Sequence, residues 1–249
     1  MGMIVLADFT SPDCHLASRR ADALTRAGVP LDWRAVQQRP ELPVTGRRLA
    51  AADQQALIET FTRLQQLLLP EEELPWTMPA IQPRSDAAIA AFAEVSDTPV
   101  SSEVRRLLFE LYWQQGVDIG NLNELQTPLT GPVLRAGSSS DPLRHGGLAV
   151  TLGRAPITTQ AHRRITTWRA AWQELGFPAL PVLLVGGATL SGMDALGRLG
   201  KEIAYAGAEQ NPDLPEPRRY PHAVGRPSAA WVSQTGGRWR YAYRPGGLA

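Results

Sequence analysis

The start of the chain does most to constrain its fold. Met3–Ala7 is a short apolar run, Asp8-Phe9-Thr10 follows, and Ser11-Pro12-Asp13-Cys14 opens a helical pattern. An unbroken apolar run of this length reads as a parallel strand buried on both faces. Serine is a favoured N-cap, proline a favoured first helical residue, and aspartate suits the first turn. A helix is therefore expected over Pro12–Ala27, with Leu16, Arg20, Ala23, Leu24 and Ala27 at helical spacing and Gly28 as the stop. Leu31–Val36 then alternates apolar and polar residues, as a half-buried strand does. Together these make a strand-helix-strand unit with a parallel pair and a right-handed crossover.

The pattern then becomes helical. Ala50–Leu69 carries Leu57, Phe61, Leu64 and Leu68 on one face, and Pro70 to Pro83 is a loop broken by prolines. Asp86–Glu94 is a short alanine-rich helix. A stronger helix opens at Ser101 with Val104, Leu107, Leu108, Leu111 and Tyr112 as its stripe, and stops at Gly116. Asn121–Leu125 starts a further helical turn, and residues 131–158 read as a long irregular connection. Helix returns over Thr159–Leu175, followed by a strong strand at Leu180–Val185. Gly186-Gly187 turns that strand into a short partner, and Ser191-Gly192-Met193-Asp194 starts a helix reaching about Ala204. The stretch 211–227 reads as a proline-rich strap. Ala230–Ser233 and Arg238–Tyr243, flanking Thr235-Gly236-Gly237, read as a hairpin with Trp239, Tyr241 and Tyr243 on one face. That face is expected to pack on the body or on a second copy of the chain.

Composition narrows the partners. The formal net charge of +1 gives no overall field toward nucleic acid or an anionic membrane. No apolar run approaches the roughly 20 residues that span a bilayer, and the opening residues lack the basic flank of a signal peptide, so a cytoplasmic protein is expected. The four histidines have no ligand spacing, and no metal site is expected. Cys14 is the only cysteine, which forbids an intramolecular disulfide.

Ser11-Pro12-Asp13-Cys14 admits two readings. One is a well-capped helix start. The other is a site, because free N–H groups and the helix dipole at this end stabilise a thiolate, and Ser11 can donate a hydrogen bond to its sulfur. Asp13 opposes a second anion. Cys14, one turn in, is either buried and inert or a reactive single thiol.

Three segments, in order, resemble the DsbA-like thioredoxin superfamily, in the branch of FrnE-type oxidoreductases, 2-hydroxychromene-2-carboxylate isomerases and kappa-class glutathione transferases. Residues 8–17 are similar to its C-P-x-C or S-P segment, with Ser11 at the attacking cysteine's place. Leu107–Gly120 is similar to its A-Y-W-x-E-G-x-D-I segment. Leu180–Gly187 with Ser191-Gly192-Met193-Asp194 is similar to V-P-T-F-V-x-G-G…G-x-D-R-L.

The resemblance implies an α/β, thioredoxin-like fold with an all-helical insertion and a C-terminal β-hairpin extension. The thioredoxin-like part is expected over 1–45 and 159–206, the insertion over 46–158, and the strap and hairpin over 207–249. It also implies that Pro181 is a cis proline facing the first helix, with Leu180 pairing backbone-to-backbone with substrate; Pro178 is a rival, and a trans strand start is the plain alternative. Asp194 matches the acid that binds the γ-glutamyl amine of glutathione. The family arginine beside it is Ala195, its small polar partner is Met193, and the aromatic of C-P-W-C is Asp13.

Dithiol exchange needs a second cysteine to resolve a mixed disulfide, so it is excluded. The expected function is thiol- or glutathione-dependent oxidoreductase, transferase or isomerase chemistry on a small thiol or glutathione conjugate. Ser11 and Cys14 are the catalytic candidates, and Pro12, Leu180, Pro181 and Asp194 the binding candidates. The alternative is a catalytically inactive binding or oligomerisation module, such as a homodimer.

Overall fold

The computed structural model describes residues 2–136, 158–210, 231–234 and 238–241. Strand β1 (Met3–Ala7), helix α1 (Pro12–Arg26) and strand β2 (Leu31–Ala35) form the opening unit, with β1 and β2 parallel from Met3 opposite Leu31 to Ala7 opposite Ala35. Val5, Leu6 and Ala7 are buried, as a strand covered on both faces requires. Helix α1 ends in a double-bonded cap: Gly28 N–H donates to the Thr25 carbonyl (3.1 Å) and Val29 N–H to the Leu24 carbonyl (2.9 Å). Gly28 sits at φ 78°, the left-handed geometry that this cap needs.

After β2 come the two-residue strand β3 (Arg47–Arg48), α2 (Ala51–Gln65), the two-residue strand β4 (Ile81–Gln82), α3 (Asp86–Val95), α4 (Ser101–Trp113), α5 (Leu122–Ala136) and α6 (Thr159–Glu174). The expected helical stretch thus also carries a minimal antiparallel ladder, β3 on β4. Strands β5 (Val182–Val185) and β6 (Ala188–Ser191) return to the first sheet, and α7 (Gly192–Gln210) follows. The sheet order is β2-β1-β5-β6, with β5 antiparallel to both its neighbours. Gly186 (φ 57°) and Gly187 (φ 83°) make the two-residue turn between β5 and β6, where positive φ at both central positions matches the twist of the strands. Strands β7 (Trp231–Gln234) and β8 (Arg238–Tyr241) pair antiparallel as the expected hairpin. Tyr243, the strap over 211–227 and the connection over 137–157 lie outside the described residues.

Helix α1 packs on α7, α4 and α2, while α3 packs on α4, α5 and α6. Every residue of α3 from Ala87 to Val95 is buried, so this helix is apolar all round and forms the centre of the helical layer. Beyond the β3–β4 ladder, three helices differ from expectation. Helix α7 runs on to Gln210, where an end near Ala204 was expected. Helix α5 continues to Ala136 through Pro128 and Pro132, where an irregular connection from residue 131 was expected. Burial of Leu125 and Leu129, about 1.5–3 kcal/mol each, offsets much of the roughly 3 kcal/mol cost of an interior proline. Helix α2 stops at Gln65 and not at Leu69, because the chain turns there to bring the Leu67 carbonyl and the Glu72 carboxylate to Arg20 of α1.

His15 lies inside the α1–α4 interface. Its ring stacks on Phe109 (centroids 5.6 Å apart) and Trp113 (6.4 Å), and Nδ1 has no hydrogen-bond partner. Burial, helped by the Arg19 charge, lowers its pKa from 6.5 to about 3. The folded protein therefore holds His15 neutral, whereas the unfolded chain takes up a proton below about 6.5. The stability from this site is complete above 6.5 and is lost as the pH falls toward about 3, at about 1.4 kcal/mol per pH unit. Denaturant titrations at neutral pH and at about pH 4.5 should show wild type losing about 2–3 kcal/mol more than His15→Phe. Parallel losses in the two proteins would show that His15 does not titrate in this way.

Candidate functional site

The loop between β1 and α1 is held by Asp8. Its buried carboxylate accepts hydrogen bonds from Thr10 N–H (2.8 Å), the Thr10 hydroxyl (2.9 Å), Gln38 N–H (2.6 Å) and the Ser85 hydroxyl (3.1 Å). Burial pushes the carboxyl above its ordinary range, and these donors pull it back. One side chain thus ties the strand end, the loop after β2 and the start of α3 into a single floor. Ser11 N–H donates to the Asp8 carbonyl (3.2 Å), which fixes the N-cap of α1 on that floor.

Ser11 acts as the cap that its sequence suggests, its Oγ accepting from Cys14 N–H at 3.3 Å, with Pro12 at the first helical position. A hydroxyl that accepts one bond keeps its own proton to donate. Above it opens a cleft of about 520 Å³. One wall is Thr10–Asp13 and Trp113, and another is Ala179-Leu180 with Ser191-Gly192-Met193. The third comes from α2 and its approach: Leu49, Asp53, Ala56, Leu57, Thr60 and Arg63, with Gln38, Arg39, Gln82 and Tyr112 completing the rim.

Among the six residues expected at a site, Ser11, Pro12 and Leu180 line this one cleft. The Leu180–Pro181 peptide bond is cis. Pro181 does not line the cleft; its carbonyl accepts from Gly192 N–H at 2.8 Å, which joins the start of β5 to the start of α7. The rival Pro178 instead gives its carbonyl to Trp172 Nε1 (3.1 Å). Asp194 is exposed in the first turn of α7, next to the cleft residue Met193, and is not part of the lining.

Cys14 departs most from the catalytic role expected of it. It is 0% exposed, lies behind the cleft wall, and burial pushes its thiol far up, with the Asp8 and Asp13 carboxylates adding to that and the Ser11 hydroxyl opposing it. A thiol without solvent access or thiolate character is inert. The geometry matches the buried alternative.

Sequence reading missed the α2 wall and its charges. Arg63 Nη2 lies 3.3 Å from Asp13 Oδ1, bridging α2 and α1 at the mouth of the cleft. Gln82 Oε1 accepts from both Arg39 (3.2 Å) and Arg47 (3.3 Å). Asp53 accepts from Ala50 N–H (3.0 Å) and pairs with Arg47 (3.0 Å). Tyr112 donates its hydroxyl to the Ile81 carbonyl (3.3 Å), and burial pushes its phenol up, so it stays protonated. The only hint in the sequence was the polar face of α2, which a helical pattern assigns to solvent.

The model of the DSBA-like thioredoxin domain matches residues 3–130, more than half of the 249-residue chain. The chain belongs to the DSBA-like thioredoxin domain family. Its structural neighbours include oxidoreductases and an isomerase. The probable DsbA oxidoreductase of Streptomyces coelicolor is 14% identical, with 99% of this chain and 100% of that one covered and a TM-score of 0.62. The cytosolic disulfide reductase DsbM of Pseudomonas aeruginosa, in a structure with GSH, is 14% identical, with 84% and 99% covered and a TM-score of 0.57. A 2-hydroxychromene-2-carboxylate isomerase is 16% identical, with 84% and 98% covered and a TM-score of 0.56. At these identities the likeness is one of fold. No curated protein matches the sequence.

This DsbA-like chain has a serine where dithiol members of the family carry their attacking cysteine. Among the described residues no helix is long and apolar enough to cross a membrane, and no group of three metal-ligating side chains is placed to hold an ion.

Proposed function

We propose that this DsbA-like protein binds a small thiol, glutathione or a glutathione conjugate in the cleft above Ser11 and acts on it by transferase or isomerase chemistry. One observation carries the reading: Ser11 at the N-terminus of α1 and Leu180 line a single open cleft. A sulfur at the N-terminus of α1 meets the positive end of the helix dipole and a hydroxyl donor, both of which favour the thiolate. Leu180 offers its main chain for pairing with the cysteinyl part of the ligand. Asp194, exposed beside Met193 and outside the lining, is the proposed partner for an amine, and Pro181 joins the Leu180 wall to α7. Cys14 takes no part, since it is closed off. A cytoplasmic setting fits a reduced thiol as substrate, and DsbM, which shares the fold, is a cytosolic enzyme.

Calorimetric titration with reduced glutathione tests the reading. Wild type should give saturable heat at millimolar ligand, and Ser11→Ala should weaken binding about tenfold or more, the worth of a hydrogen bond to a charged sulfur. No heat from wild type at millimolar glutathione would sink the proposal and leave the inactive binding module as the reading.

A further inference from the structure

Asp13 sets a problem for that site, because a carboxylate beside Ser11 repels the thiolate that the helix end attracts. The geometry points to Asp13 as the base that takes the proton from a thiol bound at Ser11, an inference that rests on the thiol reading above. In this step the S–H bond of the ligand breaks, its electron pair stays on sulfur, and the proton forms an O–H bond on the Asp13 carboxylate. The site carries one negative charge before and after, so thiolate and carboxylate never stand side by side.

The other titratable groups that line the cleft do not serve. Asp53, from α2, is engaged by Ala50 N–H and Arg47. Tyr112, from α4, is a protonated phenol bonded to the Ile81 carbonyl. Arg39, after β2, and Arg63, on α2, are cations, and the Ala179-Leu180 and Ser191–Met193 wall brings no titratable group. Asp13 is the remaining carboxylate, in the same helical turn as Ser11, lining the same cleft, with its side chain only 16% exposed. Burial pushes its carboxyl up, toward a proton, and the Arg63 guanidinium opposes that shift. As the proton reaches Asp13, Arg63 loses its anionic partner there, and the new thiolate becomes the charge in the cleft that it can face.

Binding of reduced glutathione is followed near neutral pH by the ultraviolet absorbance of the thiolate. Calorimetry in two buffers of different ionisation enthalpy gives the protons released. Wild type should form thiolate with no net release, because the proton stays on the protein. Asp13→Asn should either lose at least about tenfold of the thiolate signal or release about one proton to buffer for each thiolate formed. Asp13→Glu should restore the wild-type proton count. Release of about one proton by wild type, or an Asp13→Asn variant that keeps the full thiolate signal with an unchanged count, overturns the assignment. The wild-type count decides by itself if the variant does not fold. Absence of binding by wild type is a different result, which overturns the thiol reading itself.

Discussion

Arg20→Ala is expected to destabilise the protein by about 3–5 kcal/mol, enough to unfold much of a marginally stable domain. Arg20 is 2% exposed on the inner face of α1. Its Nη1 donates to the Leu196 carbonyl of α7 (2.7 Å), and Nη2 donates to the Leu67 carbonyl (2.6 Å) and the Glu72 carboxylate (2.8 Å). One guanidinium thereby ties the site helix to the α2–β4 connection and to α7. Truncation leaves the Glu72 carboxylate, itself only 12% exposed, without a countercharge, and an uncompensated charge in such a place is costly. Arg20→Met with Glu72→Gln removes both charges together and should recover much of the loss. Denaturant midpoints of the three proteins check this. A loss below about 1 kcal/mol in Arg20→Ala would place Arg20 among weak surface pairs.

Ser11→Cys is expected to give the protein a dithiol activity that it now lacks. The substitution writes Cys-Pro-Asp-Cys at the start of α1, with the new sulfur on the cleft and Cys14 one turn below. A thiol at a helix N-terminus has a lowered pKa and is the attacking group, and the second cysteine resolves the mixed disulfide that it forms. The variant should lose both free thiols on oxidation and reduce a small disulfide at least about tenfold faster than wild type, where the only thiol is buried. A variant with two thiols and no gain in reductase rate would show that the cleft does not present residue 11 as described.

The backbone frame was legible in the sequence because its signals are local. Ser11 and Pro12 start α1, Gly28 ends it, and Gly186-Gly187 turn β5 into β6. Three things were not legible, each for a non-local reason. The burial of Leu125 and Leu129 carries α5 through two prolines that by themselves read as breaks. The Arg63 and Asp53 side of α2 becomes a wall only because α2 lies across from Leu180, more than a hundred residues away. Arg20 fell on the apolar stripe of α1, and a charge in that position was the sign of a buried ion pair, though its partner Glu72 could not be read from spacing. The place of Cys14 was left open in the sequence, since one helical turn serves either face; the cleft lies on the Ser11 side.

A structure of the protein with reduced glutathione tests the central claim most directly. The cysteinyl sulfur should lie within hydrogen-bond distance of Ser11 Oγ, with the adjoining main chain paired with Leu180 and Cys14 untouched beneath. Glutathione bound away from Ser11, or a cleft that stays empty at millimolar ligand, would contradict it.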